Sequence, residues 1–237
     1  MHFPVYEHRL HYRFLVDGQD VKYVSTVPST FRGEPLSPFP PGSWNRAHAA
    51  MNPETGKATF VRTETLELPR MKNIWHPVKL NEVDFTRQDR VRQRVHASTH
   101  PEVLGVRPVL VKLAAETAAS EWISDSGVGP KFLGHLTEGK DKHVVGFVVE
   151  WVEGARTAGL GDMDGCRKAL ARLHELGIKL SDINKYNPLV RGWHDVVLVD
   201  FETAKRDCSP AELEIEMSAW KSSLESTEFP ERSKTRS

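Results

Sequence analysis

Leu173-His174-Glu175-Leu176-Gly177-Ile178, then Asp182-Ile183-Asn184-Lys185-Tyr186-Asn187, then Val196-Val197-Leu198-Val199-Asp200-Phe201-Glu202 form the run whose reading decides the fold. Met163, Cys166, Ala169, Leu170, Leu173 and Leu176 recur at helical spacing. Asp162 offers an N-cap before them and Gly177 a stop after them. A loop follows that carries a carboxylate and an amide five positions apart, Asp182 and Asn187. The apolar strand Val196 to Val199 then delivers Asp200, eighteen positions beyond Asp182. Ser209-Pro210-Ala211-Glu212 reads as a capping box with proline at the first helical position, opening a last helix through Leu213, Met217, Trp220 and Leu224.

These residue types suit phosphoryl transfer from ATP. One carboxylate accepts the proton of an attacking hydroxyl, or orients it, while an Asn and an Asp hold Mg²⁺ against the phosphate oxygens. Hard oxygen ligands from two adjacent loops fit that ion. Each residue also has a plainer reading. Asp182 and Asp200 also read as loop caps and Asn187 as a turn former before Pro188, although two carboxylates nearby argue for a ligand. His174, at the end of an apolar stripe, reads as a packed structural histidine, and Cys166 as a small core residue.

Working outward, residues 12 to 27 alternate as two strands around the turn Asp17-Gly18. Between positions 28 and 53 fall Pro28, Pro35, Pro38, Pro40, Pro41 and Pro53, with Gly33 and Gly42. That composition predicts a mobile segment or extended wrap and no core element. Phe60 to Leu68 is another candidate strand. Residues 89 to 96 alternate, with Arg90, Arg92, Arg94 and His96 on one face, which reads either as a solvated face or as an anion contact. Val109 to Leu113 is a short strand, followed by a helix expected from about Ala115 to Asp125. Phe132 to Thr137 and His143 to Val152 pair as a hairpin around Glu138-Gly139-Lys140-Asp141. The order predicts an α+β chain with two lobes.

The chain has 237 residues, with Lys+Arg and Asp+Glu both 32. Zero formal charge excludes a histone-like polycation and supplies no attraction for nucleic acid or an anionic membrane. The aromatic residues are scattered, without a base-stacking array. Two cysteines make no disulfide framework and point to a reducing compartment. Met1 to Leu10 lacks a signal-peptide apolar core, and the longest apolar run, Val144 to Val152, is too short to span a bilayer. The expectation is a soluble, cytoplasmic protein.

The Asp-x4-Asn loop and Asp200-Phe201-Glu202 together resemble the catalytic and metal-binding motifs of the protein-kinase-like superfamily. Glu after Asp-Phe is more typical of its aminoglycoside-phosphotransferase branch. Trp75-His76-Pro77, Lys131-Phe132-Leu133-Gly134-His135, Asn184-Lys185-Tyr186-Asn187 and Asp200-Phe201-Glu202 resemble most closely a fungal group of kinase-like proteins often labelled α-galactosidase A. The similarity covers roughly residues 75 to 225. It implies a two-lobed α+β fold with a β-rich N-lobe (71–152) and a truncated helical C-lobe (153–227), preceded by a β/loop extension (1–70) and followed by a polar tail (228–237). It further implies that Lys112 contacts the α/β phosphates and that Glu116, with Glu121 in reserve, pairs with it. Glu150, Trp151 and Val152 would form the hinge at the adenine edge, Asp182 the catalytic base, and Asn187 and Asp200 the Mg²⁺ ligands.

The sequence departs from the family pattern in four places. Leu180-Ser181 stands where kinases have His-Arg and phosphotransferases His-Gly, which predicts a looser loop. Residues 84 to 108 contain Gly105 alone, so no glycine-rich loop precedes Lys112. Lys112 and Glu116 are only four positions apart. No Ala-Pro-Glu segment follows Asp200, which favours a small hydroxyl-bearing acceptor over a protein. The expected activity is ATP/Mg-dependent phosphotransfer. The alternative is a pseudokinase-like nucleotide-binding or scaffold protein with a protein partner. A glycosidase is unattractive, because a (β/α)₈ barrel needs repeating βα units that are missing here.

Overall fold

The computed structural model describes residues 9–18, 20–28, 30, 37–67, 71, 73–92, 95–103, 105, 107–113, 117–140, 142–192 and 195–225. The chain is a β-rich α+β protein with, among the described residues, three open sheets and three α-helices. It divides into two compact units, Met1–Arg70 with Glu138–His143, and Met71–Thr137 with Val144–Ser237.

In the first unit β1 (Leu10–Val16) and β2 (Asp20–Thr26) form the expected antiparallel hairpin. Asp17 and Gly18 both take positive φ, 53° and 68°, the backbone a tight strand reversal needs. β3 (Arg46–Met51) runs parallel to β2, and β4 (Ala58–Glu64) antiparallel to β3.

The proline-rich stretch, expected to be a mobile segment or extended wrap, carries core. Trp44, Ala47 and Ala49 are buried with Val24, and Phe14, Phe39 and Phe60 pack around them. The reason is local. Residues 43–51 contain neither Pro nor Gly, and Ala47 and Ala49 alternate inward along β3. The prolines lie on either side of this segment. Pro40 contributes its carbonyl to the Trp44 indole N–H at 2.8 Å, and Phe39 stacks on Trp44 at 5.9 Å. The buried Lys22 ammonium lies 4.7 Å from the Trp44 ring centre and donates to the Trp44 carbonyl. The nearly buried Glu138 accepts from the Tyr23 hydroxyl at 2.6 Å and from Arg13.

The second unit holds a six-stranded sheet of β5 (Lys79–Asn81), β6 (Thr86–Arg92), β7 (Val95–Thr99), β8 (Val109–Leu113), β9 (Phe132–Glu138) and β10 (His143–Glu150), in the order β5-β9-β10-β8-β7-β6. Leu80, Val109, Val111, Leu136 and Val148 form its core. The alternation over 89–96 proves to be two antiparallel strands, with Arg90 opposite His96 and Arg92 opposite Val95. Its basic residues therefore do not share one strand, and Arg94 lies outside the described residues. The change of strand between Arg92 and Val95 escapes sequence reading because no Gly, Pro, Asn or Asp lies between them.

α1 is shorter than expected, Ala118–Trp122, and residues 115 and 116 lie outside the described set. Its end is set by Ser124-Asp125-Ser126. Ser126 Oγ donates to the Ile123 carbonyl at 2.6 Å and Asp125 adopts φ 60°, a local turn that competes with helix.

β11 (Arg156–Thr157), α2 (Met163–Glu175), β12 (Pro188–Arg191), β13 (Asp195–Leu198) and α3 (Pro210–Glu225) complete the unit. Cys166, Ala169, Leu170 and Leu173 of α2 join Ile178, Leu180, Val190, Val196, Leu198 and Trp220 in one apolar core. Truncating Leu170 or Leu173 to Ala there should cost ~2–5 kcal/mol. Leu176 leaves the stripe and is exposed. Asp162 occupies the cap position of α2, but its carboxylate accepts from the Gly159 N–H at 2.9 Å and from Arg156. The capping box of α3 forms as read, with the Ser209 N–H donating to Glu212 at 2.9 Å and the Glu212 N–H to Ser209 Oγ at 3.4 Å. No helix among the described residues is long and apolar enough to cross a membrane.

Candidate active site

Gly177 ends α2 at φ 71°, its N–H donating to the His174 carbonyl at 2.8 Å. The chain then buries Ile178 and Leu180 and turns toward Asp182. This loop is tied down from α3. The carboxylate of Glu216, 3% exposed, accepts the N–H of Ser181 at 2.7 Å and of Leu180 at 3.1 Å, and meets His174 Nε2 at 2.8 Å. Burial pushes the Glu216 carboxyl up, but the hydrogen bonds from His174, Ser181 and Leu180 outweigh it and hold the group below the ordinary glutamate range. At Leu180-Ser181, where the family pattern has His-Arg or His-Gly, other groups contact the loop. Leu180 is core, and a carboxylate from another helix secures the backbone. His174 is the packed, hydrogen-bonded residue expected of it.

Asp182 is exposed on this loop. Its carbonyl accepts from Asn187 Nδ2 at 2.7 Å, which closes the loop on itself. Asn187 is fully buried, and its backbone carbonyl accepts the N–H of Val199 at 2.8 Å, one residue before Asp200. Asp200 Oδ1 in turn receives the Lys112 ammonium at 2.9 Å. Four residues chosen from sequence, Lys112, Asp182, Asn187 and Asp200, are thus linked through successive contacts. Lys112 also meets Glu202 Oε1 at 2.9 Å. Glu116 lies outside the described residues. Glu121 accepts from Asn73 Nδ2 at 2.7 Å.

Phe147 of β10 stands directly opposite Lys112, so both side chains leave the sheet on one face. Next to it, Gly146 permits a very close approach of strands. A Cβ at that position would lie 2.2 Å from the Lys112 carbonyl oxygen. Phe147 also stacks on Phe132, whose ring neighbours Trp75, His76 and His135. Trp75-His76-Pro77 and Phe132 to His135, far apart in sequence, therefore meet in one aromatic cluster. His135 is fully buried and accepts the His76 N–H at 3.2 Å. Burial, then the neighbouring His76 and Lys79 side chains, hold its imidazole below the usual histidine value.

Glu150 ends β10, with its N–H donating to the Lys131 carbonyl at 2.9 Å. Glu150 and Trp151 line a cleft of about 320 Å³ with Arg107, Pro108, Glu153 and Arg191. That cleft includes neither Val152 nor the Lys112–Asp200 pair. A larger concavity of about 420 Å³, between α2 and α3, is lined by His174 but by none of Lys112, Glu150, Asp182, Asn187 and Asp200.

Asn187 Oδ1 is buried and has no hydrogen-bond partner, and an amide oxygen is a hard donor by type. Together with the Asp200 carboxylate it suits Mg²⁺. Among the described residues no three His, Cys, Asp or Glu side chains converge as a metal site.

Sequence reading missed Glu216 and Gly146. Glu216 had a signal, because it falls within the stripe Leu213, Met217, Trp220 of an otherwise apolar helix face, where an acid needs partners. Gly146 sits mid-strand, the usual mark of close backbone approach. No family model matches the chain, and no curated protein matches it.

Proposed function

We propose that the chain is an ATP- and Mg²⁺-dependent phosphotransferase of the protein-kinase-like superfamily, two-lobed, acting on the hydroxyl of a small molecule. The observation that carries this reading is the Lys112–Asp200 ion pair, 2.9 Å long between residues 88 positions apart. It is supported by the link from Asp200 through Val199 and Asn187 to Asp182. A cytoplasmic setting goes with the reading, and both cysteines are free thiols.

Asn187 and Asp200 would hold Mg²⁺, which when bound neutralises charge on the transferring phosphate. Lys112 offers its ammonium to phosphate oxygens. Asp182, exposed, takes the proton of the acceptor hydroxyl. Asn187 fixes the distance between that base and Asp200, and Glu216 fixes the loop from below. Preorganisation of this kind is the main contribution a protein makes to phosphoryl transfer.

The test is turnover of Mg·ATP, by hydrolysis or transfer, in the wild-type chain and two variants. Asp182→Asn should lower the rate by roughly 10²-fold or more while nucleotide still binds. Asp200→Ala should remove the Mg²⁺-dependent rate. Equal rates in wild type and Asp200→Ala defeat the proposal. A nucleotide-binding or scaffold protein without catalysis is the second reading, favoured by Gly105 being the one glycine in residues 84–108. It predicts a Mg²⁺·ATP-dependent rise in melting temperature with no turnover.

A further inference from the structure

Lys112 carries one positive charge and faces two carboxylates. Asp200 Oδ1 and Glu202 Oε1 each stand 2.9 Å from its Nζ. The two acids are not equally free. The Lys112 side chain is 15% exposed and that of Asp200 31%, whereas Glu202 is 62% exposed. Asp200 sits at φ 66°, directly after a residue tied to Asn187, and its carboxylate belongs to the core of the site. Glu202 reaches the ammonium from solvent. An anion approaching Lys112 meets two carboxylates that oppose its charge and already take two of the three N–H donors of the ammonium.

We propose that Glu202 is an internal competitor for the anionic ligand of Lys112, a built-in brake on occupancy of the site. This rests on the phosphate role given to Lys112 above. While Glu202 holds the ammonium, its charge and its hold on one N–H donor lower the apparent anion affinity. Withdrawing the charge at position 202 releases the site without touching Asp182, Asn187 or Asp200. The contact is largely exposed, so its effect is limited to about three- to fivefold in affinity. It also weakens as ionic strength rises, because exposed charges are screened.

The experiment is calorimetric titration of the full chain with two probes, Mg·ATP and tripolyphosphate, an anion without a nucleoside. Glu202→Gln should bind both about three- to fivefold more tightly than wild type. The gap should narrow in high salt and vanish in a Lys112→Gln background. Equal affinities for wild type and Glu202→Gln overturn the inference. So does a gain that persists without Lys112. If tripolyphosphate shows the gain and ATP binds nowhere, the nucleotide reading fails while the competitor role of Glu202 stands. If ATP binds wild type and Glu202→Gln equally, the reverse holds. No binding of either probe to any form overturns both.

Discussion

The buried carboxylate of Glu216 accepts the backbone N–H of Ser181 at 2.7 Å, so a side chain of α3 determines where the loop bearing Asp182 lies. Replacing Glu216 with Ala leaves two backbone donors and His174 without their acceptor in a closed environment. Loss of ~3 kcal/mol is expected in urea denaturation. Glu216→Gln keeps one acceptor oxygen and should lose roughly half as much. Equal stability of Glu216→Ala and wild type would show that the tether contributes nothing.

The same residue sets an acid response. Its folded value lies below the ordinary glutamate value of 4.5, so its contribution is complete above that value. The contribution is lost as pH falls through the lower folded value. Wild type minus Glu216→Gln should therefore shrink toward zero on acidification below 4.5. A difference that stays constant across that range rules the linkage out.

Ser181 holds φ 71° with a buried hydroxyl that has no partner. A non-glycine residue in the left-handed region is disfavoured by ~1–2 kcal/mol, against ~0.5–1 kcal/mol of extra chain entropy for glycine. Ser181→Gly should stabilise the protein by about 1 kcal/mol once the orphan hydroxyl is also removed. A lower urea midpoint for the variant would contradict this account.

Gly146→Ala tests the strand contact beneath Lys112. The new Cβ would stand 2.2 Å from the Lys112 carbonyl oxygen, and the neighbour is backbone that cannot rotate away. Destabilisation of about 3 kcal/mol or more is expected, with anion binding at Lys112 weakened. Thermal denaturation and the calorimetric titration check the two parts separately.

Tyr23 lies in the other unit and reports on it alone. Burial, then the Glu138 carboxylate that accepts its hydroxyl, pushes the phenol up to about 12. Stability from this raised group is complete below the ordinary tyrosine value of 10 and lost as pH rises toward 12. The tyrosinate absorbance of wild type minus Tyr23→Phe should appear near 12. A difference titrating near 10 would separate Tyr23 from Glu138.

Much of the fold could be read from local chemistry. Asp17-Gly18, Gly177 and Ser209-Pro210-Ala211-Glu212 each specify backbone within a few residues, and each forms the reversal, stop or cap expected of it. Reading failed where the deciding interaction was tertiary or where punctuation misled. Residues 43–51 looked like loop because prolines flank them, yet Trp44, Ala47 and Ala49 fill a core against Val24. Residues 89–96 looked like one strand because alternation continued through an unmarked change of strand.

For the candidate site, sequence alone determined the residue types and their local carriers: a carboxylate and an amide on a loop after α2, a second acid at the end of an apolar strand, and a lysine on β8. Only the tertiary structure decided that Lys112 meets Asp200 and Glu202, that Asn187 closes on the Asp182 carbonyl, and that Glu216 secures the loop. Helix stops and strand alternation depend on neighbours a few positions away. A charge pairs with, or is desolvated by, whatever packing brings beside it, and across 88 positions no local period can specify that.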